Sequence, residues 1–99
     1  MTFDELLIKI DDESLLKDKL ENYHTELCKL KAMFHRELAQ LKKEKALFMV
    51  KREAGQSVAS RKEEWDATDR GQRKFDIEGY ISSSKSAIDG VKNRLYSFY

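Results

Sequence analysis

The sequence has no proline, only four glycines and a single cysteine in 99 residues. Without proline nothing forces a break in a helix, which suits long helices better than loops. One cysteine, Cys28, excludes an internal disulfide and fits a reducing compartment. No apolar run approaches the roughly 18 residues that a membrane span needs. The first charged residue, Asp4, is acidic and the apolar start is short, so no secretory leader is expected. The glycines are too scattered for a glycine-rich phosphate loop. A formal net charge of +1 implies no partner from the whole-molecule charge. The expectation is one soluble, cytoplasmic domain without a cofactor.

What is present is charge and helical period. Charged residues make up 37% of the chain, and alanine, glutamate, lysine, leucine and arginine dominate, as in coiled coils. From Ser14 to Gly55, Leu16, Leu20, Tyr23, Leu27, Leu30 and Phe34 follow at steps of four and three. Leu41 and Phe48 continue the register, and Glu37 and Glu44 interrupt it. That is a heptad seam on an amphipathic helix on the order of 60 Å long. A second seam runs through Ile77, Ile81, Ser84, Ile88, Val91, Leu95 and Phe98. The predicted fold is all-α: a short N-terminal helix and a long antiparallel helical hairpin, coiled-coil-like and oligomeric. The expected boundaries are about 3–10, about 14–54 and about 67–98, with a loop at about 55–66.

Local signals set these limits. Thr2 and Glu5 have the spacing of a capping box, and Phe3, Leu6, Leu7 and Ile10 give a short apolar face. Asp12 or Ser14 is suited to cap the long helix, and Gly55 to end it. Asp66 or Thr68 is suited to cap the last helix, and Trp65 is expected to pack on the hairpin end. Gly79, Ser83, Ala87 and Gly90 form a small-residue row that permits close approach of a helix or a phosphate backbone, or simply faces solvent. Folded back from Gly55, the last helix would reach only to about Tyr23–Glu26. Leu16, Leu20, Tyr23 and Leu27 are therefore the expected oligomer interface, although the first helix also suffices to cover the protruding stripe.

Catalytic chemistry has little to work with. His24 and Cys28 are an i, i+4 pair, but His35 lies eleven residues from His24 and cannot share one ion with it. The serines at 82, 83, 84 and 86 have no histidine near them in sequence. No metal site and no enzyme are expected. The basic segment carries more. Lys42, Lys43, Lys45, Lys51, Arg52, Arg61 and Lys62 stand against Glu44 and Glu53, and Lys92 and Arg94 lie near Tyr96, Phe98 and Tyr99. Lysine and arginine track phosphates and aromatic rings stack on bases, so these nine cations are candidate contacts to single-stranded nucleic acid. The plain alternative is a solvated helix face.

Two stretches resemble the UvsY-type recombination mediators of tailed phages. One is Asp12-Glu-Ser-Leu-Leu-Lys-Asp-Lys-Leu-Glu-Asn-Tyr-His24, leading into the helix that stops at Lys51-Arg-Glu-Ala-Gly55. The other is Lys62-Glu-Glu-Trp-Asp-Ala-Thr-Asp69 with the tail Ile88-Asp-Gly-Val-Lys-Asn-Arg-Leu-Tyr-Ser-Phe98. The resemblance implies a ring-like homo-oligomer that binds single-stranded DNA. It also implies a weakened hold of single-strand-binding protein on that DNA, help in loading a RecA-type recombinase, and no catalysis. Rival expectations are a coiled-coil adaptor or scaffold without nucleic acid, and a secreted helical hairpin of the WXG type, whose motif Trp65-Asp66-Ala67 only echoes.

Overall fold

The computed structural model describes residues 2–11, 16–51 and 54–98. Four helices and no strand occur among them: α1 (Phe3–Ile10), α2 (Lys17–Val50), α3 (Val58–Asp66) and α4 (Asp69–Tyr96). They form a rod of 62 × 20 × 17 Å in which α2 and α4 pack side by side as an antiparallel hairpin.

α1 has its expected ends. Thr2 Oγ1 accepts from the Glu5 N–H at 3.2 Å, and Glu5 Oε2 accepts from the Thr2 N–H at 3.3 Å. An eight-residue helix is marginal alone, and packing holds it. Leu6 and Ile10 are buried with Leu20, Leu27, Ile88 and Val91 in one cluster. Phe3 meets Phe34 and Tyr80 edge-on, with ring centroids 5.7 and 6.0 Å away. α1 thus starts near the middle of the rod and runs to the open end of the hairpin.

This placement corrects the oligomer assignment for two residues. Leu20 and Leu27 are 1% and 0% exposed within the single chain, so no second copy can reach them. The cover is α1, the alternative that the sequence left open. Tyr23 is half-buried against the same cluster, and Leu16 alone of the four is largely exposed, at 69%. The start of α2 also moves, from 14 to Lys17, with Leu16 in the extended N-cap position. The proposed caps Asp12 and Ser14 lie outside the described residues.

The expected loop at 55–66 is mostly helix. Ser57 Oγ accepts from the Ser60 N–H at 3.0 Å and starts α3. Arg61 and Trp65 then fasten α3 to the end of α2. Trp65 is 4% exposed with its ring centroid 5.6 Å from that of Phe48, as expected of this tryptophan. α2 ends at Val50, with Lys51 as C-cap rather than Gly55. Gly55 has φ +83°, the one left-handed backbone among the described residues, and serves the connection to α3. Because α3 lies beside the last turns of α2, α4 begins farther along the hairpin. Its end therefore draws level with Leu20 instead of stopping near Tyr23.

α3 and α4 meet at a tight corner. Thr68 Oγ1 accepts from the Gly71 N–H at 3.0 Å and donates to the Trp65 carbonyl at 2.6 Å. Gly71 is buried, and a Cβ there would sit 2.0 Å from the Trp65 oxygen. The small-residue row is different. Ser83, Ala87 and Gly90 line an open groove of about 880 Å³ between α1 and α4. A Cβ at Gly79 or Gly90 would meet nothing within 4 Å, so close approach is not used there.

Candidate nucleic-acid interface

The two acids that interrupt the seam of α2 explain how its outer face is built. Arg73 Nε donates to Glu37 Oε1 at 2.8 Å, and Nη2 to Oε2 at 3.1 Å. Arg70 Nη2 donates to Glu44 Oε2 at 2.7 Å, with Nε 3.2 Å from both oxygens. Both pairs cross from α4 to α2 in fork geometry, the stronger form of such contacts. Hydrogen bonding to Arg73 holds the Glu37 carboxyl below its ordinary range, against the opposing effect of partial burial. The same bonds push both guanidiniums further into their charged range.

From Leu27 to its C-cap Lys51, α2 has no other acid. Its remaining charges in that interval are cations: Lys29, Lys31, Arg36, Lys42, Lys43, Lys45 and Lys51. Lys29 pairs with Glu26 at 3.5 Å. The other six have no ion-pair partner among the described residues. At about 1.5 Å per residue they span about 30 Å. Helical geometry orders them further. Ala32, Ala39 and Ala46, seven apart and all exposed, form a floor on the side opposite the buried Leu41. Arg36 and Lys43 flank it on one side, His35 and Lys42 on the other, all within about 60° of Ala39. Lys31 and Lys45 are half-buried toward one edge; Lys51 is exposed at the other.

Two of the predicted contacts are used inside the fold. Arg61 Nε donates to the Phe48 carbonyl at 2.8 Å, and Nη1 to Glu64 Oε2 at 2.9 Å. Its guanidinium stacks 3.5 Å from the Phe48 ring centroid. Arg94 Nη1 donates to the Ile10 carbonyl at the end of α1. Each arginine closes the C-terminus of a helix that lacks four intrahelical carbonyl partners, which corrects their assignment to phosphate. Arg52 lies outside the described residues. Lys62 is exposed on α3 at the turn end, and Lys92 is exposed at the open end. Lys92, Tyr96 and Phe98 are therefore not gathered with Lys42–Lys51, and no exposed aromatic shares the strip. Lys31 and Arg36 belong to the face and were not singled out in sequence. Their signal was the lack of acids other than the two at seam positions.

His24 Nδ1 lies 4.0 Å from Cys28 Sγ. No group of three or more metal-ligating side chains occurs among the described residues. No described helix is long and apolar enough to cross a membrane. No protein-family model, no curated protein and no solved structure matches the chain.

Proposed function

We propose that the chain binds single-stranded nucleic acid along the outer face of α2 and acts as a recombination mediator. In this role a homo-oligomer holds DNA that single-strand-binding protein has covered and helps a RecA-type recombinase load onto it. The observation that carries the binding is the run of six cations, along about 30 Å of α2, without an ion-pair partner among the described residues; of these, Arg36, Lys42 and Lys43 share the exposed alanine face. The mediator role rests on the sequence resemblance. The work is binding free energy, which favours a DNA conformation on which a recombinase nucleates. Without aromatic rings on the strip, contact is to phosphates and is indifferent to base sequence.

The test is titration of a fluorescent oligothymidine at several salt concentrations, with protein mass measured in the same buffer. Phosphate contacts by Arg36, Lys42 and Lys43 correspond to a slope of log K against log salt of about −2, steepening to about −4 where all six cations take part. Replacing Lys42→Glu with Lys43→Glu is expected to weaken low-salt binding at least tenfold and to flatten the slope. Unchanged binding by a folded variant counts against the assignment.

A second reading has its own support. Ala32, Ala39 and Ala46 repeat at heptad spacing on the exposed face, as a seam for another helix does. A coiled-coil adaptor would use that face for an acidic partner helix. A protein that ignores DNA at low salt favours this reading.

A further inference from the structure

The cationic face depends on two residues that do not lie on it. Glu37 adjoins Arg36, and Glu44 sits between Lys43 and Lys45. On α2 itself neither acid has a cation three or four residues away, the spacing at which helix side chains pair. Their only ion-pair partners among the described residues are Arg73 and Arg70 of α4. These pairs are on the hairpin side of α2, away from Ala39.

We infer that Arg70 and Arg73 are positioning residues for polyanion binding: they neutralise Glu37 and Glu44, so that α2 from Leu27 to Lys51 presents only positive charge to a phosphate chain. The inference rests on the proposed binding reading and deepens it. Neither arginine touches the ligand. Removing each guanidinium leaves one uncompensated carboxylate about 10 Å from the phosphates, across the width of the helix. Two such charges in water amount to about a fourfold loss of affinity at low salt. At physiological ionic strength the Debye length is about 8 Å and most of the difference disappears.

A purely structural role for the pairs gives a different pattern, and the sign separates the two. If the pairs only hold the hairpin together, Arg70→Gln with Arg73→Gln and Glu37→Gln with Glu44→Gln harm binding alike. If they act through charge, the arginine double variant binds oligothymidine about fourfold more weakly at low salt. The glutamate double variant then binds about fourfold more tightly, and the quadruple variant returns to wild type. Thermal melts of each variant run alongside. Should the arginine variant fail to fold, the glutamate variant decides: tighter binding supports the inference and weaker binding overturns it. Equal affinity in all variants also overturns it. If wild type does not bind the oligonucleotide, the proposed function falls. Elution from immobilised heparin then still tests the inference. Early elution of the arginine variant and late elution of the glutamate variant support it, and co-elution overturns it.

Discussion

At the scale of the residue, four of the arginines differ from the lysines and Arg36 of the α2 face. Arg61, Arg70, Arg73 and Arg94 all make contacts inside the chain. The lysines of the α2 strip make none with a described acid. Planar, multidonor guanidinium suits fixed carbonyl and carboxylate partners, whereas lysine is a hydrated point charge on a flexible stem. Sequence alone treated Arg61 and Arg94 as equivalent to the lysines, because the carbonyls they close come from residues 13 and 84 positions away. Glycines divide in a similar way. Gly71→Ala forces a Cβ against the Trp65 backbone and is expected to cost about 1–3 kcal/mol or more. Gly79→Ala and Gly90→Ala fill open space in a helix interior and are expected to add about 0.5–1 kcal/mol each. Chemical denaturation of the three variants checks both signs. A neutral Gly71→Ala would mean that the corner relaxes without cost.

At the scale of the element, seams and caps were legible and their interruptions were not. The steps of four and three located α2 and α4, and the capping box located α1 to the residue. Glu37 and Glu44 looked like gaps, yet they are where Arg73 and Arg70 cross. Arg70 was recognisable in principle, since it falls seven residues before Ile77 on the seam of α4. α3 was missed because Gln56-Ser-Val-Ala-Ser60 is small and polar and has weak helical propensity. Its stability comes from Ser57 capping and from Trp65 and Arg61 packing on Phe48, which are tertiary effects. The crossing pairs also have a pH signature. The folded-state pKa of Glu37 is depressed below its ordinary value of 4.5. Its pairing therefore contributes stability that is complete above that ordinary value and is lost as pH falls through the folded-state value. Acid titration of the melting temperature is expected to fall less steeply below pH of about 4.5 in Glu37→Gln than in wild type. Parallel curves would indicate that the pair contributes nothing to folding.

At the scale of the whole molecule, the rod is uneven in thickness. α1 makes the open half a three-helix bundle, and six of the buried hydrophobic residues, Leu6, Ile10, Leu20, Leu27, Ile88 and Val91, cluster there. Beyond Phe34 two layers remain, with Leu41, Trp65 and Ile77 as the buried apolar side chains. Amide exchange is expected to be slowest around Leu20–Leu27 and Ile88–Val91 and faster from Lys42 to Val50, since opening free energy follows buried apolar contact. Uniform protection along α2 would show that the hairpin opens only as one unit. The lysines of α2 thus lie largely on the half expected to open more readily. On the proposed reading, a strand laid along it would have to quiet that half, and part of the attraction would be consumed in doing so. Stiffening the two-layer half with a better-filled interior would then tighten the grip without adding one contact to the strand.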